Sequence, residues 1–136
     1  MSEALTRGIH HLGLAVPDLE ATTAFFCSVL GWKEVGRKPE YPAAFVSDGS
    51  VTLTLWQVAE PTSAVAFDRR KNVGLHHLAL AVPTHVALQE LFERVRDYPG
   101  VVVEFEPQPM RPGSDVLHFI CAIPGGVRVE FATRAI

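Results

Sequence analysis

Two histidine pairs and one glutamate stand out as side chains able to do chemistry together. The pairs, His10 with His11 and His76 with His77, sit in two copies of one ten-residue phrase. GIHHLGLAVP starts at Gly8 and GLHHLALAVP starts at Gly74, 66 residues later, and eight of the ten positions are identical. The glutamate, Glu130, lies in the closing run PGGVRVEF. Two neutral imidazole nitrogens and one anionic oxygen suit a borderline divalent ion such as Fe(II), Mn(II), Ni(II) or Zn(II), with positions left for water or substrate. An isolated strand histidine is ordinarily a core or surface residue with a hydrogen-bond partner. Recurrence at an equivalent place in two halves is what gives these weight, although duplication also copies residues that do nothing.

Positioning such a set requires the phrase to be a strand. In each copy small or polar residues alternate with bulky apolar ones, and a proline ends the run. Alternation puts His11, Gly13 and Ala15 on one face and His10, Leu12, Leu14 and Val16 on the other. The bulky face must meet a helix, so His11 and its repeat His77 look the other way, beside Gly13 and Ala15 or Ala79 and Ala81. The same argument sends His10 and His76 to the helix side, as packing or supporting residues. In the last strand Val127, Val129 and Phe131 form the apolar face, which leaves Arg128, Glu130 and Ala132 opposite. If the two halves curl toward a common cavity, His11, His77 and Glu130 converge there.

The rest of the chain supplies the elements. Asp18 is placed to cap a helix through LEATTAFFCSVL that stops at Gly31, and Thr84 or His85 opens a second with Leu88, Leu91, Phe92 and Val95 at helical spacing, ended by Pro99 and Gly100. Strand-like runs follow at 32–35, 43–47 and 51–58, then at 101–105, 116–123 and 127–133. D48-G-S-V-T-L-T-L overlies P124-G-G-V-R-V-E-F at an offset of 76 residues. Each half is therefore a βαβββ module, over 7–58 and 74–133, with 59–73 as a linker whose Arg69, Arg70 and Lys71 read as a solvated turn. The fold class is α+β.

Composition narrows the function. Hydrophobic residues make up 48% of the 136, ample for a core, while a 20% charged fraction and a net charge of −3 provide no basic field for nucleic acid. No apolar run approaches a membrane span and the start lacks a secretion signal, so the chain reads as cytoplasmic. Cys27 and Cys121 lack metal-type spacing and read as buried, reduced thiols. Glu20, Glu90, Glu93 and Arg94 mark solvated helix faces.

These phrases, HHLGLAVPDLEATTAFFCSVLGW, HHLALAV and PGGVRVEF, resemble the vicinal oxygen chelate superfamily, which includes glyoxalase I, bleomycin-resistance proteins, fosfomycin-resistance enzymes and extradiol dioxygenases. The resemblance covers nearly the whole chain and is more specific for the fold than for the reaction. It implies two tandem modules in an open, U-shaped mixed β-barrel with helices outside, a divalent metal, a small-molecule substrate and often a homodimer. Carried over by position, the metal ligands are His11, His77 and Glu130. Glyoxalase-like members hold a further glutamate where the offset places Thr54, a poor ligand and a poor base. Gln57 or water is then the substitute, although alternation sends Gln57 to the other face. Two histidines and a glutamate are similar to the iron triad of the dioxygenases, for which His118 is the acid–base candidate.

Thr54, Trp56 and Arg128 are the substrate-facing candidates, with Glu130 as the base of an isomerase or lyase. A metal-free antibiotic binder of the bleomycin-resistance type is the competing expectation, with Trp32, Tyr41, Phe45 and Trp56 as aromatic walls. Arg37, Lys38 and Arg111 are candidate holders of an anionic group.

Overall fold

A computed structural model describes residues 3–134. The chain divides after Pro61 into two compact units with one element order. The first unit runs β1 (Leu12–Val16), α1 (Leu19–Ala24), β2 (Lys33–Lys38), β3 (Ala43–Ser47) and β4 (Thr52–Gln57); the second runs β5 (Leu78–Val82), α2 (His85–Val95), β6 (Val102–Pro109), β7 (Leu117–Ala122) and β8 (Arg128–Thr133). Each unit is βαβββ with a four-stranded mixed sheet, ordered β1-β4-β3-β2 in the first and β5-β8-β7-β6 in the second. The architecture is α+β, as expected. Because the division falls after Pro61, most of the stretch read as a linker travels with the second unit.

The inner pairing is parallel in both units, and its register matches. Gly13 lies beside Thr54 in β1/β4, and Ala79 lies beside Glu130 in β5/β8. The offset read from the sequence is therefore the structural equivalence of the two last strands. Alternation also holds. Leu14 and Val16, with Leu80 and Val82, are buried under the helices, while Gly13, Ala15, Ala79 and Ala81 are exposed on the opposite face. The histidine pairs stand just before their strands begin.

Helix α1 begins at its cap, where the Asp18 carboxylate accepts the Ala21 N–H at 3.0 Å, and α2 begins where the Thr84 hydroxyl accepts the Ala87 N–H at 3.0 Å. The single helix expected through Leu30 instead changes character. After Ala24 the chain widens into a π-helical turn over Phe25–Val29. Two adjacent aromatics cannot both lie on one narrow α-helical stripe, and the wider turn lets both Phe25 and Phe26 become fully buried. Trp32, expected as a cavity wall, is instead 7% exposed with its ring 5.1 Å from that of Phe26. It is a core residue, because the turn carries Phe26 to meet it.

Both cysteines are free. Cys121 is buried between strands, and desolvation pushes its thiol up to about 12. Desolvation also raises Cys27, which is half-buried, with the charge of Glu34 adding to the effect. A thiol-labelling assay near neutral pH is expected to modify Cys121 only after denaturant unfolds the chain, with Cys27 reacting slowly in the native protein.

Candidate functional site in the second unit

In antiparallel pairs, residues directly opposite share a face. Ile120 lies opposite Glu130 and His118 opposite Ala132, so β7 presents His118 on the face that carries Glu130. The pairing register resolves the facing of His118. His77 precedes β5 and shares parity with Ala79, the neighbour of Glu130, so these two also fall on one face. The small Ala79 side chain leaves the Glu130 carboxylate room to lean toward the imidazole.

The three side chains meet. His118 Nδ1 donates to Glu130 Oε2 at 2.6 Å, a short charge-assisted bond, and His77 Nε2 lies 3.1 Å from Glu130 Oε1. Only 10% of the Glu130 side chain and 12% of the His118 side chain are exposed, against 34% for His77. The Phe105 ring packs on His118 with centroids 4.9 Å apart. One carboxylate oxygen is thus anchored, while the other faces a ring nitrogen that is still open to solvent.

Arg128, two residues before Glu130, has a different setting from that of a free substrate anchor. Its Nε and Nη2 donate to the two oxygens of Glu104 at 2.9 and 2.7 Å, and Nη1 lies 3.3 Å from His76 Nδ1. Arg69 stands 3.6 Å from the same carboxylate. The Arg128 bond is the main reason that Glu104 titrates below the usual carboxylate range, so this pair persists at neutral pH and is lost as the pH falls through the lowered value. Phe67, Asp68, Arg69, Val102, Glu104 and Arg128 contribute to an open cleft of about 510 Å³.

Sequence reasoning missed Glu104. The β6 register shifts between Val103 and Phe105, and this irregularity lets consecutive residues reach Arg128 and His118 on one face. Strict alternation gave no sign of it. His76 was expected on the helix side; it is exposed, with Nδ1 2.8 Å from Nδ1 of His77. The position ahead of the first paired strand residue escapes the sheet's alternation. His10 is likewise exposed, 2.8 Å from His11 through the same atoms.

In the first unit His11 is exposed, and Thr54 is buried at the place equivalent to Glu130. Its hydroxyl accepts the Trp56 indole N–H at 2.8 Å. Tyr41 and Phe45 pack against Trp56 with ring centroids at 4.7 and 6.1 Å. Gly36 permits this, since a Cβ there would come within 2.8 Å of the Phe45 ring. Gln57 is not free to act as a ligand. Its Oε1 accepts the Leu19 N–H at 2.8 Å and its amide donates to the Pro17 carbonyl at 2.7 Å, so it ties the first turn of α1 to β4. Arg37 lies in β2 and is held by Glu34 and Glu20.

Whether a divalent ion suits these residues can be tested on distances. Two donors each about 2.1 Å from one ion, at a right angle, stand about 3 Å apart. The 3.1 Å between His77 Nε2 and Glu130 Oε1 meets that requirement. His118 Nδ1 is already spent on Glu130. Among the described residues no group of three or more His, Cys, Asp or Glu side chains able to hold a metal ion is formed. The second unit supplies a pair of donors.

The chain belongs to the Glyoxalase/Bleomycin resistance protein/Dioxygenase superfamily, whose model matches residues 8–131. It is 32% identical over 126 residues to a probable lactoylglutathione lyase of Synechocystis, covering 88% of this chain and 90% of that one. It is 34% identical over 131 residues to the mitochondrial methylmalonyl-CoA epimerase of Bos taurus, covering 90% and 71%. With the catechol-2,3-dioxygenase of Bacillus subtilis it shares 32% identity over 90 residues, which is 61% of this chain and 30% of that enzyme. The glyoxylase/bleomycin resistance protein/dioxygenase domain from Frankia superposes with a TM-score of 0.79 at 23% identity, covering 94% and 92%. Among the described residues no helix is long and apolar enough to cross a membrane.

Gln57→Leu is expected to cost about 1–3 kcal/mol in urea unfolding, because it strands the Leu19 N–H and the Pro17 carbonyl. The metal content of the purified variant should equal that of the wild type; a loss confined to metal, at unchanged stability, would restore Gln57 as a ligand.

Proposed function

We propose that this chain is a metal-dependent enzyme of the isomerase or lyase type, acting on a small substrate with adjacent oxygens. The observation that carries the reading is the approach of His77 Nε2 to Glu130 Oε1 at 3.1 Å, with the second carboxylate oxygen held by His118. His77 and Glu130 would bind the ion. His11, at the equivalent place in the first unit, is the third donor by resemblance. A bound divalent ion supplies Lewis acidity toward oxygens on which negative charge develops.

Glu130 is also the chain's candidate base. It is a carboxylate largely out of water, oriented by a donor on its far oxygen, and its repeat in the first unit is the neutral Thr54. One base suits a reaction that moves a proton between neighbouring atoms of a single substrate. The coverage of the relatives points the same way. The chain spans nine-tenths of the lyase and under a third of the dioxygenase. His118, considered as the acid–base group of a dioxygenase, is better suited to holding Glu130. Thr54 and Trp56 would line the substrate's apolar side, and we place the protein in the cytoplasm as a homodimer.

A second reading, a metal-free binder of small molecules, is favoured by one feature. The first unit carries a cluster of Tyr41, Phe45 and Trp56 beside glycines 13 and 36, an aromatic surface on the face equivalent to that of Glu130.

Elemental analysis of protein purified without chelator separates the two. Stoichiometric Fe, Mn, Ni or Zn is expected in the wild type, lost in His77→Ala and in Glu130→Gln, and reduced in His11→Ala. A metal-free wild type that is still stabilised by aromatic ligands in a thermal-shift screen would overturn the enzyme reading.

A further inference from the structure

We propose that Arg128, acting through His76, locks His77 in the tautomer that carries its proton on Nδ1 and leaves Nε2 as a bare lone pair facing Glu130. A guanidinium has N–H groups and no acceptor, so wherever Arg128 Nη1 meets His76 Nδ1, at 3.3 Å, the imidazole nitrogen must accept. That nitrogen then has no proton to offer to its other neighbour. His77 Nδ1, 2.8 Å away, must be the donor. In neutral His77 the proton is thereby on Nδ1, and Nε2 is unprotonated.

The direction of this chain is set by a carboxylate. Glu104 accepts from both Nε and Nη2 of Arg128, which fixes the plane of the guanidinium and aims Nη1 at His76. Only 11% of the Arg128 side chain is exposed, so the fork is not free to swing away. Glu104, Arg128, His76 and His77 thus form a line of oriented hydrogen bonds ending on the atom that faces Glu130. An unprotonated ring nitrogen then stands 3.1 Å from a carboxylate oxygen, two acceptors that repel each other until a cation binds both. Arg128 and His76 are positioning residues in this scheme.

The duplication provides an internal control. His10 and His11 repeat the same contact between Nδ1 atoms at 2.8 Å, but the position equivalent to Arg128 is Thr52. No guanidinium stands at that position to decide which ring donates, so His11 should sample both tautomers while His77 samples one. The use of the lone pair for metal rests on the reading proposed above; the tautomer itself does not.

The test reads the tautomer directly. Long-range proton–nitrogen correlation spectra would be recorded on nitrogen-15-labelled protein stripped of metal, at about pH 8, where imidazoles are neutral. His77 is expected to show a protonated Nδ1 and a bare Nε2, with His11 showing averaged shifts. Arg128→Met should move His77 toward the Nε2-protonated form, and His76→Phe, at an exposed position that tolerates the change, should do the same. Zinc affinity by competition titration should fall about 10–100-fold in Arg128→Met, as for other residues that orient a ligand from behind. A wild-type His77 protonated on Nε2, or a tautomer unmoved in both variants, overturns the proposal. A tautomer that follows Arg128 in a wild type that binds no zinc upholds the relay and removes the metal reading alone.

Discussion

Glu130 holds a carboxylate in the middle of β8 with little of its side chain in water, and a charge kept in such a place must be matched by its neighbours. His118 meets one oxygen from the adjacent strand, and His77 faces the other from just ahead of the strand on the opposite side. Much of the second unit is arranged to allow this. Ala79 beside Glu130 is small, Ile120 opposite is apolar, and the outer Phe105 ring keeps water from His118. A larger residue at position 79 would close the space into which the carboxylate leans.

The comparison between the repeats shows how one fold is made to do different things. The two last strands align, and their inner partners align with them, yet the first unit carries Thr54 where the second carries Glu130, and Thr52 where it carries Arg128. The hydroxyl of Thr54 is occupied by the Trp56 indole, and around that indole Tyr41 and Phe45 form an aromatic face. On this face the second unit carries a carboxylate and a guanidinium, and the first carries hydroxyls and an aromatic cluster. Such division of labour is open to a duplicated module, because the core on the helix side is untouched by changes on the other face.

Membership of the superfamily agrees with this arrangement while leaving the reaction to be decided by the site, since relatives about a third identical to this chain carry the names of a lyase, an epimerase and a dioxygenase. In this chain Glu130, held by His118, stands where the first unit has Thr54, and the guanidinium two residues before it is already committed to Glu104.

The repeat, the two βαβββ modules, the strand faces and the sharing of one face by His77 and Glu130 were all legible in the residues, because alternation along a strand is a local property that apolar patterning reports faithfully. His118 was legible as a candidate but not in its role, since only the register of β7 against β8 says which face it occupies. The division of the first helix after Ala24 was not legible, because the widened turn over Phe25–Val29 breaks the period on which a helix is read. Glu104 and His76 were out of reach for the same kind of reason: one sits at an irregularity in β6 and the other just outside β5, and at both places the alternation that makes a sequence readable has stopped. Sequence alone determined what is repeated and which way it faces within a strand. Which donor meets which acceptor was decided only by tertiary structure, because a hydrogen bond depends on tenths of an ångström between side chains brought from different strands.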